Sequence, residues 1–134
     1  AVEWACELVE QQHGVRFVLR APSHPLELET DMRVLLFRAV RELLHNMVKH
    51  AQASTVWIGI SLRGGVVHLT VEDDGVGFPD PLPDVSTGAG FGLFAIRERV
   101  TAQGGTFRIE RRPGGGARIY QSVPLGRVGS GDLP

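Results

Sequence analysis

Cysteine is almost missing from this sequence. Cys6 stands alone among 134 residues, which excludes an internal disulfide and suits a reducing compartment. Beside Trp4 in a short apolar pattern, its thiol is expected to pack rather than react. No apolar run approaches the roughly 20 residues that span a bilayer, and no signal peptide is visible. Neither sign of charge prevails. Fourteen Lys and Arg against fifteen Asp and Glu leave a net charge of −1, without the pull on nucleic acid or anionic lipid that an excess of base exerts. Internal repeats are lacking too. A chain of this length is read as one domain with room for its own core, residues 1–125, followed by a Gly-rich tail at 126–134 that is expected to be disordered. Its opening on Ala1-Val2-Glu3 fits a piece of a longer protein.

Periodicity supplies the elements. Residues 2–12 read as a short helix stopped at His13-Gly14, and Val15 to Leu19 as a strand before the turn at 21–25. His13 and His24 are read as exposed loop residues. A long helix follows from Thr30 or Asp31, one of which is expected to cap it, to about Ala51-Gln52. Its apolar stripe comprises Val34, Leu35, Leu36, Val40, Leu43, Leu44, Met47, Val48 and Ala51. The period then changes to two. Val56, Ile58, Ile60 and Leu62 alternate, as do Val67, Leu69 and Val71, around a hairpin turn at Arg63-Gly64-Gly65. Polar or small residues fill the opposite faces, where Trp57 and His68 are expected to do no chemistry. Residues 75–89 lack periodicity and form a loop long enough to be a lid. Phe91 to Gln103 return to helical spacing, with Phe94, Ile96 and Val100, and stop at Gly104-Gly105. A last hairpin sets Phe107 and Ile109 against Ala117, Ile119 and Val123 across Pro113-Gly114-Gly115-Gly116. The order α-β-α-β-β-α-β-β predicts an α/β (α+β) two-layer sandwich, a mixed and mainly antiparallel sheet with helices on one face.

Three stretches carry candidate chemistry. In the long helix, Glu42, Asn46, Lys49 and His50 are spaced i, i+4, i+7 and i+8, so an acid, an amide, an amine and an imidazole share one side. Such a set can meet a metal ion and a polyphosphate, or can simply be the solvated face of an amphipathic helix. Asp73-Asp74-Gly75-Val76-Gly77 ends a strand. Its carboxylate can accept from an exocyclic amine, and its two glycines let backbone approach a flat base, although an Asp-Gly turn after a strand is common. Gly88-Ala89-Gly90-Phe91-Gly92-Leu93 runs straight into a helix, whose uncrowded N–H groups suit a phosphate. No Gly-Lys-Ser/Thr follows, so it is no Walker A loop. No strand immediately precedes it, so it is no dinucleotide fingerprint either.

In combination and in this order the three stretches resemble the ATP-binding (Bergerat-fold) domain shared by histidine kinases, gyrase, heat-shock chaperones and mismatch-repair ATPases. The wording of residues 41–51 (Arg-Glu-Leu-Leu-His-Asn-Met-Val-Lys-His-Ala), 73–78 (Asp-Asp-Gly-Val-Gly-Phe) and 90–100 (Gly-Phe-Gly-Leu-Phe-Ala-Ile-Arg-Glu-Arg-Val) is similar to two-component sensor histidine kinases. The short lid and the Lys-His-Ala and Ile-Arg-Glu-Arg-Val wording resemble the subfamily paired with LuxR-type response regulators. The likeness covers about residues 1–125. It implies ATP or ADP with Mg²⁺ as ligands. Asn46 matches the metal-binding asparagine, and Glu42 the acid that serves as general base in hydrolysing relatives. In a kinase, Glu42 is expected to orient water on the metal or to assist the accepting histidine. Lys49 and His50 match phosphate-facing positions, Asp73 the carboxylate that takes the adenine amine, and Gly75 and Gly77 the base pocket. Gly88, Gly90, Gly92 and Leu93 match the second glycine box beside the phosphates and the lid hinge.

Two departures accompany the resemblance. Relatives often carry Gly-Thr on the penultimate strand where Gly116-Ala117 stand here, a difference expected to remove a hydrogen bond worth about 1 kcal/mol. A phosphoacceptor helix pair is not present in these residues, and His45 reads as structural. The resemblance therefore implies the catalytic part of a cytoplasmic kinase, or of one whose parent is anchored in a membrane. It would be monomeric alone, act on a histidine of a separate dimerisation and phosphoacceptor domain, signal to a LuxR-type regulator, and contact no nucleic acid directly. Two rivals share the motifs: a serine kinase of the anti-sigma-factor type, and a stand-alone ATPase in which Glu42 activates water.

Overall fold

The computed structural model describes residues 14–21, 30–46, 52–78 and 93–125, with the backbone alone for Asn46. In chain order they form strand β1 (Arg16–Arg20), helix α1 (Thr30–Asn46), strands β2 (Thr55–Arg63) and β3 (Val66–Asp73), helix α2 (Leu93–Ala102), and strands β4 (Thr106–Arg111) and β5 (Ala117–Pro124). The helix expected at 2–12, the end of the long helix at 47–51, most of the 75–89 loop and the tail at 126–134 lie outside the described residues. Thr30 is already helical, so neither it nor Asp31 stands before the helix as its cap; Asp31 instead sits in the first turn, where a carboxylate suits the helix dipole.

One five-stranded sheet runs in the order β1-β2-β3-β5-β4. β1 lies parallel to β2 and the other neighbours are antiparallel, which makes the mixed, mainly antiparallel sheet expected. Parallel neighbours need a crossover rather than a tight turn, and α1 lies in that connection. β2 and β3 form a hairpin in which Arg63 pairs with Val66. Between them Gly64 and Gly65 have φ of +57° and +77°, both positive, as a two-residue turn matching the strand twist requires.

The alternating apolar residues face the helices. Val56 and Ile58 of β2, Leu69 and Val71 of β3, and Ile119 and Val123 of β5 form one core with Ala39, Val40, Leu43 and Leu44 of α1 and Leu93, Ile96 and Val100 of α2. Three members of the expected apolar patterns stay outside. Val34 is 47% exposed, Leu62 at the end of β2 39% and Phe94 38%. The row that seats α1 includes Leu36, Val40, Leu43 and Leu44, and Val34 lies two residues, more than half a turn, from Leu36. On α2 the seated row is Leu93, Ile96 and Val100, spaced i, i+3 and i+7, and Phe94 falls off it. Leu43 has no exposed surface. Leu43→Ala is expected to lower the unfolding free energy by about 3 kcal/mol in urea titration; a loss under about 1 kcal/mol would mean that α1 is not seated on the sheet.

The other sheet face is polar. Arg118 bridges Glu72 and Glu110 at 3.5 and 3.2 Å, and Arg108 lies over the Tyr120 ring. His68 Nδ1 is 2.7 Å from the Tyr120 hydroxyl. Burial, and secondarily the charge of Arg63, hold that imidazole below its usual range, so a neutral ring partners the hydroxyl.

Candidate functional site

Along β3 every second residue is buried: Val67, Leu69, Val71 and then Asp73. The row that seats the sheet on its helices thus ends in a carboxylate with no exposed surface. The chain turns at once, and the Gly75 N–H donates to Asp73 Oδ1 at 2.7 Å. Among the described residues, Asp73 Oδ2 is buried and makes no hydrogen bond of good geometry. Burial pushes the carboxyl above its usual range. The amides of Gly75 and Ala117 favour the charged form and oppose that shift, as does the charge of Arg112, while Asp74 adds to it. An unpartnered buried acceptor costs about 1–3 kcal/mol. A ligand N–H delivered to Oδ2 would recover that cost.

Main chain packs closely against the Asp73 peptide. Gly77 has φ of +76°, and a Cβ there would stand 2.9 Å from the Gly116 carbonyl oxygen. Gly116 has φ of +104°, and its Cβ would stand 1.8 Å from the Asp73 carbonyl oxygen. The ends of β3 and β5 therefore meet main chain to main chain, at a separation that only glycine allows at Gly116. Asp74 pins the same corner: its Oδ1 accepts from Ser54 N–H at 2.9 Å and Thr55 N–H at 3.0 Å. The Thr55 amide, followed by that of Ser54, holds its carboxyl below the usual range against partial burial. Sequence reasoning gave Asp74 no role; the doubled aspartate at a strand end was the available signal. The hydroxyl missing at Ala117 leaves a buried residue whose own amide still favours the Asp73 carboxylate.

The two helices pack side by side and run antiparallel. A groove of about 370 Å³ is lined by Asp31, Leu35 and Arg38 near the start of α1 and by Arg99, Ala102 and Gln103 near the end of α2. That arrangement sets the beginning of α2, at Leu93, toward the Asn46 end of α1. Leu93 itself is buried in the core, so what it offers to the site is the backbone of a helix start. Glu42 does not stand free. Its Oε1 lies 3.2 Å from Nη2 of Arg99, an ion pair joining α1 to α2; that nitrogen is buried and the pair lacks hydrogen-bond geometry. In the sequence Arg99 stands out only within the Ile-Arg-Glu-Arg-Val stretch. Asn46 is the last residue of α1, one turn beyond Glu42. Lys49, His50, Gly88, Gly90 and Gly92 lie outside the described residues. Among the described residues no three His, Cys, Asp or Glu side chains cluster as a metal cage, and no helix is long and apolar enough to cross a membrane.

The fold is that of histidine kinase catalytic domains. The chain superposes with a TM-score of 0.80 on the blue-light activated histidine kinase of Erythrobacter litoralis, at 22% identity over 96% of this chain and 42% of that one. With the ATP-binding domain of PrrB from Mycobacterium tuberculosis the TM-score is 0.76, at 24% identity over 92% of this chain and 90% of the other. Residues 31–127 match the family described as histidine kinase-, DNA gyrase B-, and HSP90-like ATPase, and the chain belongs to that family. Sensor histidine kinases are among its relatives. The chain is 43% identical over 97 residues to the signal transduction histidine-protein kinase/phosphatase UhpB of Salmonella typhimurium, covering 72% of this chain and 18% of the relative. With the sensor histidine kinase ComP of Bacillus subtilis it shares 39% over 121 residues, covering 88% and 16%. With the nitrate/nitrite sensor protein NarX of Escherichia coli it shares 29% over 119 residues, covering 89% and 19%. The chain thus spans less than a fifth of the length of each of these relatives.

Proposed function

We propose that this chain holds Mg·ATP with its adenine on Asp73 and presents the γ-phosphoryl group to a histidine on a separate dimerisation and phosphoacceptor domain of its parent protein. The observation that carries the reading is Asp73 Oδ2, a buried acceptor at the end of a core strand that makes no hydrogen bond among the described residues. Adenine's 6-amino group is a donor of the required kind. Gly77 and Gly116 bring main chain together beside the Asp73 peptide, and the Gly75 amide fixes the carboxylate through its other oxygen. The phosphates would extend toward Gly88, Gly90, Gly92 and the start of α2, with Lys49 and His50 facing them.

Asn46 would hold Mg²⁺ through its side-chain oxygen. Mg²⁺ is usually held by few protein ligands, so a single amide oxygen would fit it. Bound there, it would neutralise charge on the phosphates. Glu42, held by Arg99, would orient water or assist the accepting histidine from one turn away. In the transfer a histidine ring nitrogen attacks the γ-phosphorus in line, the bond to the β-phosphate bridging oxygen breaks, and ADP leaves. The protein's contribution is position and charge rather than covalent chemistry. The phosphoryl group would then pass to a LuxR-type response regulator on the cytoplasmic side.

Two measurements test this. Asn46→Ala should lower ADP affinity in Mg²⁺ to its value in EDTA while the fold persists; calorimetry in which the Mg²⁺ dependence survives would remove the metal from Asn46. Mixed with Mg·ATP and its parent's phosphoacceptor domain, the chain should generate an acid-labile, alkali-stable phosphohistidine. An acid-stable phosphoserine on a partner protein would favour the serine kinase instead.

A further inference from the structure

Three successive glycines, Gly114, Gly115 and Gly116, turn β4 into β5, with φ of +87°, +114° and +104°. No other run of residues has as much backbone freedom to lose. Yet Gly116 lies against Asp73 and Gly77 so closely that no Cβ fits between them. Arg112, just before the turn, supplies the constraint. Its Nε lies 3.1 Å from Glu72 Oε1, its Nη1 donates to the Gly115 carbonyl at 3.2 Å, and its guanidinium lies 4.5 Å above the Trp57 ring. Its own N–H donates to the Gly116 carbonyl at 2.9 Å, and its carbonyl accepts from the Gly115 N–H at 3.0 Å. Trp57 and Glu72 are register partners on β2 and β3, so the anchor is the sheet itself.

We propose that Arg112 is a positioning residue for the adenine pocket: it latches the Gly114–Gly116 turn onto Trp57 and Glu72 and so holds Gly116 as a wall beside Asp73. This rests on the reading of Asp73 as the adenine site. Arg112 touches no nucleotide in this role and acts through Gly115 and Gly116. The latch needs a planar fork that can bond two acceptors while stacked on an indole, which lysine lacks. Preorganising the wall is what the latch contributes to affinity.

The test uses the chain as it stands, with ADP as the probe, and follows amide hydrogen exchange at Gly115 without ligand. Arg112→Ala is expected to weaken ADP binding on the order of tenfold and to speed Gly115 exchange, with circular dichroism unchanged. Arg112→Lys, the variant to use if the alanine form fails to fold, is expected to do nearly the same, because charge alone does not rebuild the fork. The latch is overturned if a folded Arg112→Ala binds ADP within about twofold of the unaltered chain, since a purely structural arginine would shift only stability. Full restoration of affinity by Arg112→Lys also overturns it and assigns the effect to charge near Asp73. Absence of ADP binding by the unaltered chain overturns the adenine site and the latch together, whereas binding that ignores Arg112 removes the latch alone.

Discussion

Asp73→Asn is expected to weaken ADP binding about a hundredfold, roughly 2.7 kcal/mol, while making the ligand-free chain more stable. Both effects follow from one buried oxygen. With ADP bound, Oδ2 would accept a charge-assisted hydrogen bond from the base, and such bonds contribute about 1.5–3 kcal/mol. An asparagine amide turned either way is neutral, and its NH₂ would oppose the 6-amino group. Inosine diphosphate, with a carbonyl at that ring position, should therefore lose less affinity than ADP or gain. Without ligand the sign is opposite. Burial raises the Asp73 carboxyl above its ordinary value of 3.8. Between that value and the raised one the folded chain binds more proton than the unfolded chain, so stability falls as pH rises through the window. Near neutrality the unaltered chain carries the whole cost of an ionised, half-satisfied carboxylate, and the asparagine variant does not. Denaturant titrations should show the variant ahead by about 1 kcal/mol at pH 7 and the gap closing in acid. A variant that is less stable but binds ADP normally would place Asp73 in the scaffold and not in the site.

Gly116→Ala is expected to be the most damaging single methyl in the site, costing about 3 kcal/mol of stability and abolishing ADP binding. Its Cβ would lie 1.8 Å from the Asp73 carbonyl oxygen and 2.8 Å from the carbonyl carbon, and main chain cannot yield as a flexible side chain does. The φ of +104° adds strain of its own. Gly114→Ala supplies the comparison within the same turn: its φ of +87° is also unfavourable to alanine, but nothing lies within 4 Å of its Cβ. That change should cost about 1 kcal/mol and leave ADP affinity nearly intact. Equal effects of the two substitutions on affinity would mean that the approach of β5 to Asp73 has no part in binding.

Much of this arrangement was legible in the chain. The alternation of Val67, Leu69 and Val71 fixes which face of β3 is inward, and counting two further reaches Asp73, so its burial could be read from the same period that made the strand. The paired positive-φ glycines at 64 and 65 were likewise legible as a hairpin. What remained hidden lies across the sheet. Arg112 and Glu72 are 40 residues apart, and no local spacing joins them. Trp57, which does no chemistry, is nonetheless the platform for Arg112 because the register sets it beside Glu72. Glu42 sat on the expected face of its helix, but its pairing with Arg99 depends on how the helices cross, which periodicity along either one does not contain. Val34 and Phe94 mark the converse error: an apolar residue near a stripe counts as core only if its angle round the helix agrees.

The most direct measurement is a crystal structure of the chain with Mg·ADP. The 6-amino nitrogen of adenine should lie about 3 Å from Asp73 Oδ2, with the base against Gly77. A base bound elsewhere, with Oδ2 still unpartnered, would contradict the placement on which the rest depends.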